Sequence, residues 1–387
     1  MKSIYYLILT VFLSNSLLAT ELDLTKIRDP KTLLEKVKRG FDVDAVRSSD
    51  GYTLLHFAAE TGSIELTSEL LQRGVTKNPT MHRGNTPLSF AINFEKKEII
   101  RLLLDAGVDP NFKLGSSDYN RSHFHYYMIK SKKVDRYIFD LFIKKGANLE
   151  TKDSFEETPL ISVAQLSPDK KEHLQLLLSA KANVKAQARG GKTALMTAVY
   201  TQNPDFIRAI VAAGAPVDQK DSEGNTALVS MINMGAGVEG DKEKPNIMKI
   251  LVELGANINE PNNDGNTALH ASVIGHKFEL LEFLCSIDAN THLANKKNVT
   301  ALDQAIINQN EKATEILLKV EREINSLDKY GSTRLHSAVM NQRYDLIRLL
   351  LQAGANKEEK DKFGKTPLQL AESMKDAKAI ELLESGP

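Results

Sequence analysis

The chain has 387 residues, with 50 Lys and Arg against 50 Asp and Glu, 6% aromatic residues, no Trp and one Cys. Balanced charge excludes the electrostatic footprint of a nucleic-acid binder, and a single cysteine excludes a disulfide framework. An ordinary globular chain of this length divides into two or three domains, whereas a repeating one builds a continuous core.

Residues 1–20 carry one early cation, Lys2, then an apolar run from Ile4 to Leu13, a polar break at Ser14-Asn15-Ser16 and small residues near Ala19. The run is too short to span a bilayer, so it reads as a cleavable secretory leader. This predicts an exported protein with no membrane insertion after cleavage, in a bacterial periplasm or, alternatively, outside the cell. Residues 21–50 read as half a repeat that caps one end of the array. Asp29-Pro30 starts a helix, Leu33, Leu34 and Val37 form its apolar stripe, and Arg39-Gly40 closes it.

From residue 51 to 387 one pattern recurs, most clearly in Tyr330–Asp361. A Gly-containing turn leads into Thr333-Arg334-Leu335-His336, where the Thr hydroxyl caps a first helix. Leu346, Ile347, Leu349, Leu350 and Leu351 then fall at helical spacing, and Ala353-Gly354 ends the second helix. Such a unit cannot bury its own apolar faces and needs neighbours. The capping residue returns at Thr53, Thr86, Ser122, Thr158, Thr193, Thr226, Thr267, Thr300, Thr333 and Thr366, five times at a spacing of 33. The longer spacings fall in loops: the 107–122 hairpin, the turns near Lys130–Asp135 and Ser167–Lys171, and an insertion at Gly235–Lys244 in repeat six. Loop-confined length changes leave the packing faces of an array intact.

The T-x-L-H-x-A core, the L-L-x-x-G-A-N ending and the 33-residue period resemble the ankyrin repeat over roughly residues 30–385. The resemblance implies an all-α solenoid of helix-turn-helix units with short β-hairpin extensions, in about ten copies. In repeat three, Ser122-His123-Phe124-His125-Tyr126-Tyr127 puts aromatics where the family has small residues, which predicts locally splayed or bent packing.

No G-x-S-x-G, H-E-x-x-H, phosphate-loop or dinucleotide glycine pattern occurs, so neither an enzyme nor a cofactor or metal site is expected. His56, His270 and His336 share one repeat position, and the resemblance implies that they bond between neighbouring turns. His123 and His125, two residues apart on a helix, diverge and make a poor metal pair. Cys285 aligns with the apolar Leu351 and reads as a buried thiol. The charged run 239–244 reads as a solvated loop or, more sharply, a flap that touches a partner.

What remains is surface. The resemblance implies protein binding through the concave side, at the hairpin tips and the exposed positions of the first helix. Here the tips hold Tyr52, Arg83, Asn85, Tyr119, Arg121, Phe155, Glu157, Arg189, Lys192, Glu223, Asn225 and Tyr330, and the first helices add Glu60, Phe94 and Tyr200. Aromatic and Arg side chains dominate interface energetics once a partner buries them. Tyr119, Phe155, Tyr330 and Phe363, each three residues before a cap, fit either this role or hairpin-on-hairpin packing. The expected partner is another protein, an envelope enzyme such as a wall hydrolase that the chain caps, inhibits or protects, with the chain monomeric on its own. The alternatives are an exported effector that binds host proteins and a self-associating envelope protein.

Overall fold

The computed structural model describes residues 29–385 except 48, 167, 234–243, 322 and 329–330. The leader, the repeat-six insertion with its charged run, and Tyr330 therefore lie outside the described residues. What is described is mostly helical, with 21 α-helices and one two-stranded hairpin among these residues. Among these residues no helix is long and apolar enough to cross a membrane. The chain divides into two compact units, the first ending at Thr197 and the second beginning at Ala198.

In the first unit, α1 (Pro30–Lys38) is capped by the Asp29 carboxylate, which accepts from the Thr32 N–H at 3.0 Å. Its buried Leu33 and Val37 face α3, as a second helix would. The hairpin strands β1 (Val46–Arg47) and β2 (Tyr52–Thr53) precede repeat one, α2 (Leu54–Thr61) and α3 (Ile64–Gln72). Repeat two is α4 (Pro87–Asn93) and α5 (Lys97–Asp105), and repeat three is α6 (His123–Lys130) and α7 (Arg136–Lys144). Repeat four is α8 (Pro159–Ala164) and α9 (Lys171–Ser179); α10 (Ala194–Tyr200) crosses the division. First helices pack on first helices and second on second, so each repeat completes its neighbour's core. Each fully buried Leu or Ile on these faces contributes about 1.5–3 kcal/mol.

The expected capping operates throughout. Thr53, Thr86, Ser122 and Thr158 each accept from the backbone N–H three residues on. His56 and Ser89, at that third position, return a bond to the cap's own N–H, whereas His125 turns to Ser162 instead. Two further ladders join the repeats. At the hairpin tips the N–H groups of His82, Ser154 and Arg189 donate to the carbonyls of Asp50, Tyr119 and Phe155. Beyond the second helices, Thr76 and Asn148 donate to the side chains of Asp44 and Asn111.

Repeat three departs as its sequence predicts. The two helices of repeats one, two and four approach closely, while α6 and α7 stand apart. The rings of Phe124, Tyr127, Phe139 and Phe142 fill the space, with Phe124 5.8 and 5.7 Å from Phe139 and Phe142, and Tyr127 stacked 5.1 Å from Phe142.

The second unit continues with α11 (Pro204–Ala212), α12 (Ala227–Asn233), α13 (Lys244–Glu253), α14 (Ala268–Ile274) and α15 (Phe278–Ser286). After them come α16 (Ala301–Ile307), α17 (Glu311–Leu318), α18 (Arg334–Met340), α19 (Tyr344–Gln352), α20 (Pro367–Met374) and α21 (Ala377–Ser385). Gly354 after α19 has φ 87°, the left-handed conformation that suits glycine. One junction is looser: α16 and α18 do not close on each other, and a cavity of about 1160 Å³ opens between them. Arg334, at the first turn where the other repeats carry Leu, Pro or Ala and repeat three carries His123, pairs there with Asp303 at 3.0 Å.

Candidate interaction surface

The expected histidine bridges are present. His56 accepts from the Thr53 N–H through Nδ1 and donates through Nε2 to the Asn85 carbonyl of the next repeat at 3.2 Å. His270 and His336 reach the carbonyls of Val299 and Lys365, each at 2.9 Å. Burial lowers His56 to about 4 and moves His270 in the same direction, so both are neutral struts near neutral pH.

His123 and His125 serve other junctions. His123 donates through Nδ1 to the Asp109 carbonyl and meets the Thr86 hydroxyl with Nε2 at 2.7 Å. His125 donates through Nε2 to the Ser162 hydroxyl, which itself donates to Glu157 at 2.6 Å. In repeat four, His173 donates to the Ser131 carbonyl at 3.0 Å. Burial lowers His123 and His173 to about 4 and His125 to about 3, with Arg121 adding to the shift of His125. Among the described residues no cluster of His, Cys, Asp and Glu could hold a metal ion. Cys285 is half-buried rather than fully buried, and burial pushes its thiol up to about 11, away from the nucleophilic thiolate.

The tip and first-helix residues separate into packed and open groups. Tyr52 is buried, not presented: its ring stacks 5.6 Å from His56 and meets Phe90 edge-on, and its hydroxyl donates to Glu60. Glu60 is thereby engaged and half-buried. Asn225 is also buried, since its side-chain oxygen accepts from Asn262 at 3.0 Å in a ladder of amides. Both are corrections to the surface assignment. Both directly precede a cap, where the rings of His56 and Phe90 hold Tyr52 and the Asn262 amide holds Asn225, whereas Lys192 at the same position is exposed. Asn85 and Glu157, at the same position, are half-buried, the first through its carbonyl bonds to His56 and Met81 and the second through Ser162.

The open group is narrower. Phe94, the C-cap of α4, is 46% exposed, and Tyr200 at the end of α10 is 56% exposed. Tyr119 and Phe155 touch each other, ring centroids 5.1 Å apart, so they pack hairpin on hairpin while part of each ring stays exposed. The Arg121 guanidinium lies over the Tyr119 ring at 4.8 Å and bonds Asp153 at 3.2 Å. Arg83, Arg189, Lys192 and Glu223 are exposed, with Arg189 bonded to the Ser154 carbonyl and Glu223 accepting from Asn225. Phe363 in the second unit is more exposed still, under the Lys362 ammonium. Not foreseen were Ile274, Ile307 and Met340, all exposed and each seven residues after its cap; that shared register was the available signal.

Four stretches of the chain, 27–113, 126–221, 234–328 and 320–386, match the model of the ankyrin repeat family. The chain belongs to the ankyrin repeat family. It is 28% identical over 198 residues to human ankyrin repeat and SOCS box protein 6, covering 49% of this chain and 45% of that protein. It is 27% identical over 198 residues to the putative palmitoyltransferase ZDHHC13 of Danio rerio, covering 50% and 29%. The chain thus spans less than half the length of these relatives. Among solved structures, the ankyrin repeat domain of Bcl-3 superposes with a TM-score of 0.50 at 26% identity, covering 59% of this chain and 98% of that one. Ankyrin repeats bind other proteins, and the chain is accordingly a non-catalytic binding scaffold.

Proposed function

We propose that this ankyrin chain is an exported scaffold of the bacterial envelope whose first unit holds an envelope enzyme and caps, inhibits or protects it. Export rests on the leader-like pattern of residues 1–20. The binding surface rests on Phe94, Tyr119 and Phe155, large apolar side chains left 46%, 46% and 43% exposed on one helix end and two hairpin tips of the first unit. Nearly half of each ring is still open, so a partner that covers it gains that remaining burial. Self-association is a second reading, favoured by the Ile274, Ile307 and Met340 register of the second unit.

The test is affinity capture from envelope extract with the chain lacking its leader, beside a variant carrying Phe94→Ala, Tyr119→Ala and Phe155→Ala. One enriched enzyme, lost with the variant while its melting point holds, is the expected result. Enrichment unaffected by the variant would remove the first-unit surface from the proposal. A dimer in sedimentation with no enrichment would favour self-association.

A further inference from the structure

We infer that the hairpin tips of repeats two to four accept an acidic, apolar-flanked segment of the partner, its anionic group over Arg83 and its apolar side chain on the Tyr119–Phe155 pair. This deepens the reading of the first unit as the binding surface and depends on it. The tips of hairpins two and three enclose an open cavity of about 730 Å³ whose walls include His82, Arg83, Lys113 and Ser116, and no Asp or Glu lines it. In a chain of balanced charge such a lining is a local excess of cations and hydroxyl donors, complementary to a carboxylate or phosphate.

The cavity's shape follows from two glycines. A Cβ on Gly84 would lie 2.3 Å from the Gly115 Cα, and one on Gly115 would lie 2.6 Å from the Arg83 carbonyl oxygen. No side chain fits at either place, so the hairpins meet backbone to backbone. The Ser117 hydroxyl then donates to the Arg83 carbonyl at 2.6 Å, which holds the Arg83 backbone while its side chain stays exposed. Lys113 donates through Nζ to the Lys152 carbonyl of the next hairpin at 3.1 Å.

One hairpin further, the Ser154 N–H donates to the Tyr119 carbonyl at 2.8 Å and brings Phe155 against Tyr119. Tyr119 has φ 56°, a left-handed backbone that an aromatic residue rarely adopts and that carries its ring outward here. Arg121 beside it is already matched by Asp153, whereas Arg83 lines the cavity with its side chain exposed. The aromatic pair supplies burial, and the cavity supplies sign.

A displayed library of random dodecapeptides, selected on the full chain, tests this. Recovered peptides should be enriched in Asp and Glu next to an aromatic or aliphatic residue. Measured by fluorescence anisotropy, they should lose roughly 10- to 30-fold in affinity on Arg83→Glu, a surface change that leaves the melt in place. They should also weaken on Tyr119→Ala and as salt rises. C-terminal amidation of the peptides separates the sources: unchanged binding assigns the anion to an acidic side chain, lost binding to a chain terminus. Peptides that depend on Tyr119 but are indifferent to Arg83→Glu would overturn this inference and leave the binding surface standing. Peptides indifferent to both would overturn the two together.

Discussion

Acidification should loosen the first unit before the second. His56, His123, His125 and His173 each close a junction of the first unit while neutral, and desolvation holds them at about 4, 4, 3 and 4 against an ordinary value of 6.5. Few charges face them to offset the loss. Asp50 acts on His56, Asp109 on His123 and Asp169 on His173 in the opposing direction, while Arg121 and Lys170 reinforce the shifts of His125 and His173. A depressed value means that the unfolded chain binds more protons between about pH 4 and pH 6.5. The contribution is therefore complete above that window and is lost as pH falls through it. At pH 5.5 each unfolded imidazole gains about 1.4 kcal/mol by protonation, about 6 kcal/mol for the four, against a typical domain stability of about 5–15 kcal/mol. His270 in the second unit adds a single contribution of the same sign. Hydrogen exchange of the full chain at pH 7.5 and 5.5, corrected for intrinsic rates, reads this helix by helix. Protection in α4 and α6 should fall by three to four decades, and that in α14 by about one. A His125→Gln variant, whose amide can still donate to Ser162, should recover about one decade in the first unit. Equal losses in both units, or unchanged protection in α6, would refute the reasoning.

Four further substitutions test the packing. Tyr52→Ala should cost about 3–5 kcal/mol by denaturant unfolding, since it empties a buried ring site against His56 and Phe90, while Phe94→Ala should cost under about 1 kcal/mol. Asn225→Ala should cost about 1–3 kcal/mol by leaving the Asn262 amide unpaired, and a neutral result would show that water replaces the lost oxygen. Gly115→Ala should shift the thermal midpoint downward by several degrees, because its Cβ would press on the Arg83 carbonyl.

Most of the array could be read from the sequence because its signals are local. A threonine cap, a first-turn proline as at Pro87, and a glycine after the second helix each act within one repeat, and ten copies make their period visible. Even the splayed helices of repeat three announce themselves, since four large rings in one helix pair cannot close as Ala and Leu do. What stayed hidden lies between repeats. Tyr52 and Tyr119 both precede a cap, yet one is buried and the other open. The deciding contact is non-local: Tyr52 packs on the Phe90 ring of the next repeat as well as on His56, whereas Tyr119 touches Phe155 and Arg121 at the tips. Repeat two sharpens the point. It has Ser89 where repeat one has His56, so by alignment its junction with repeat three lacks a strut. His123 supplies one from the opposite side, reaching back to the Thr86 hydroxyl from the first turn of α6. Alignment compares positions, whereas a junction needs only a neutral donor-acceptor ring within reach of both repeats. Either partner can provide it, and a single sequence read repeat by repeat does not say which.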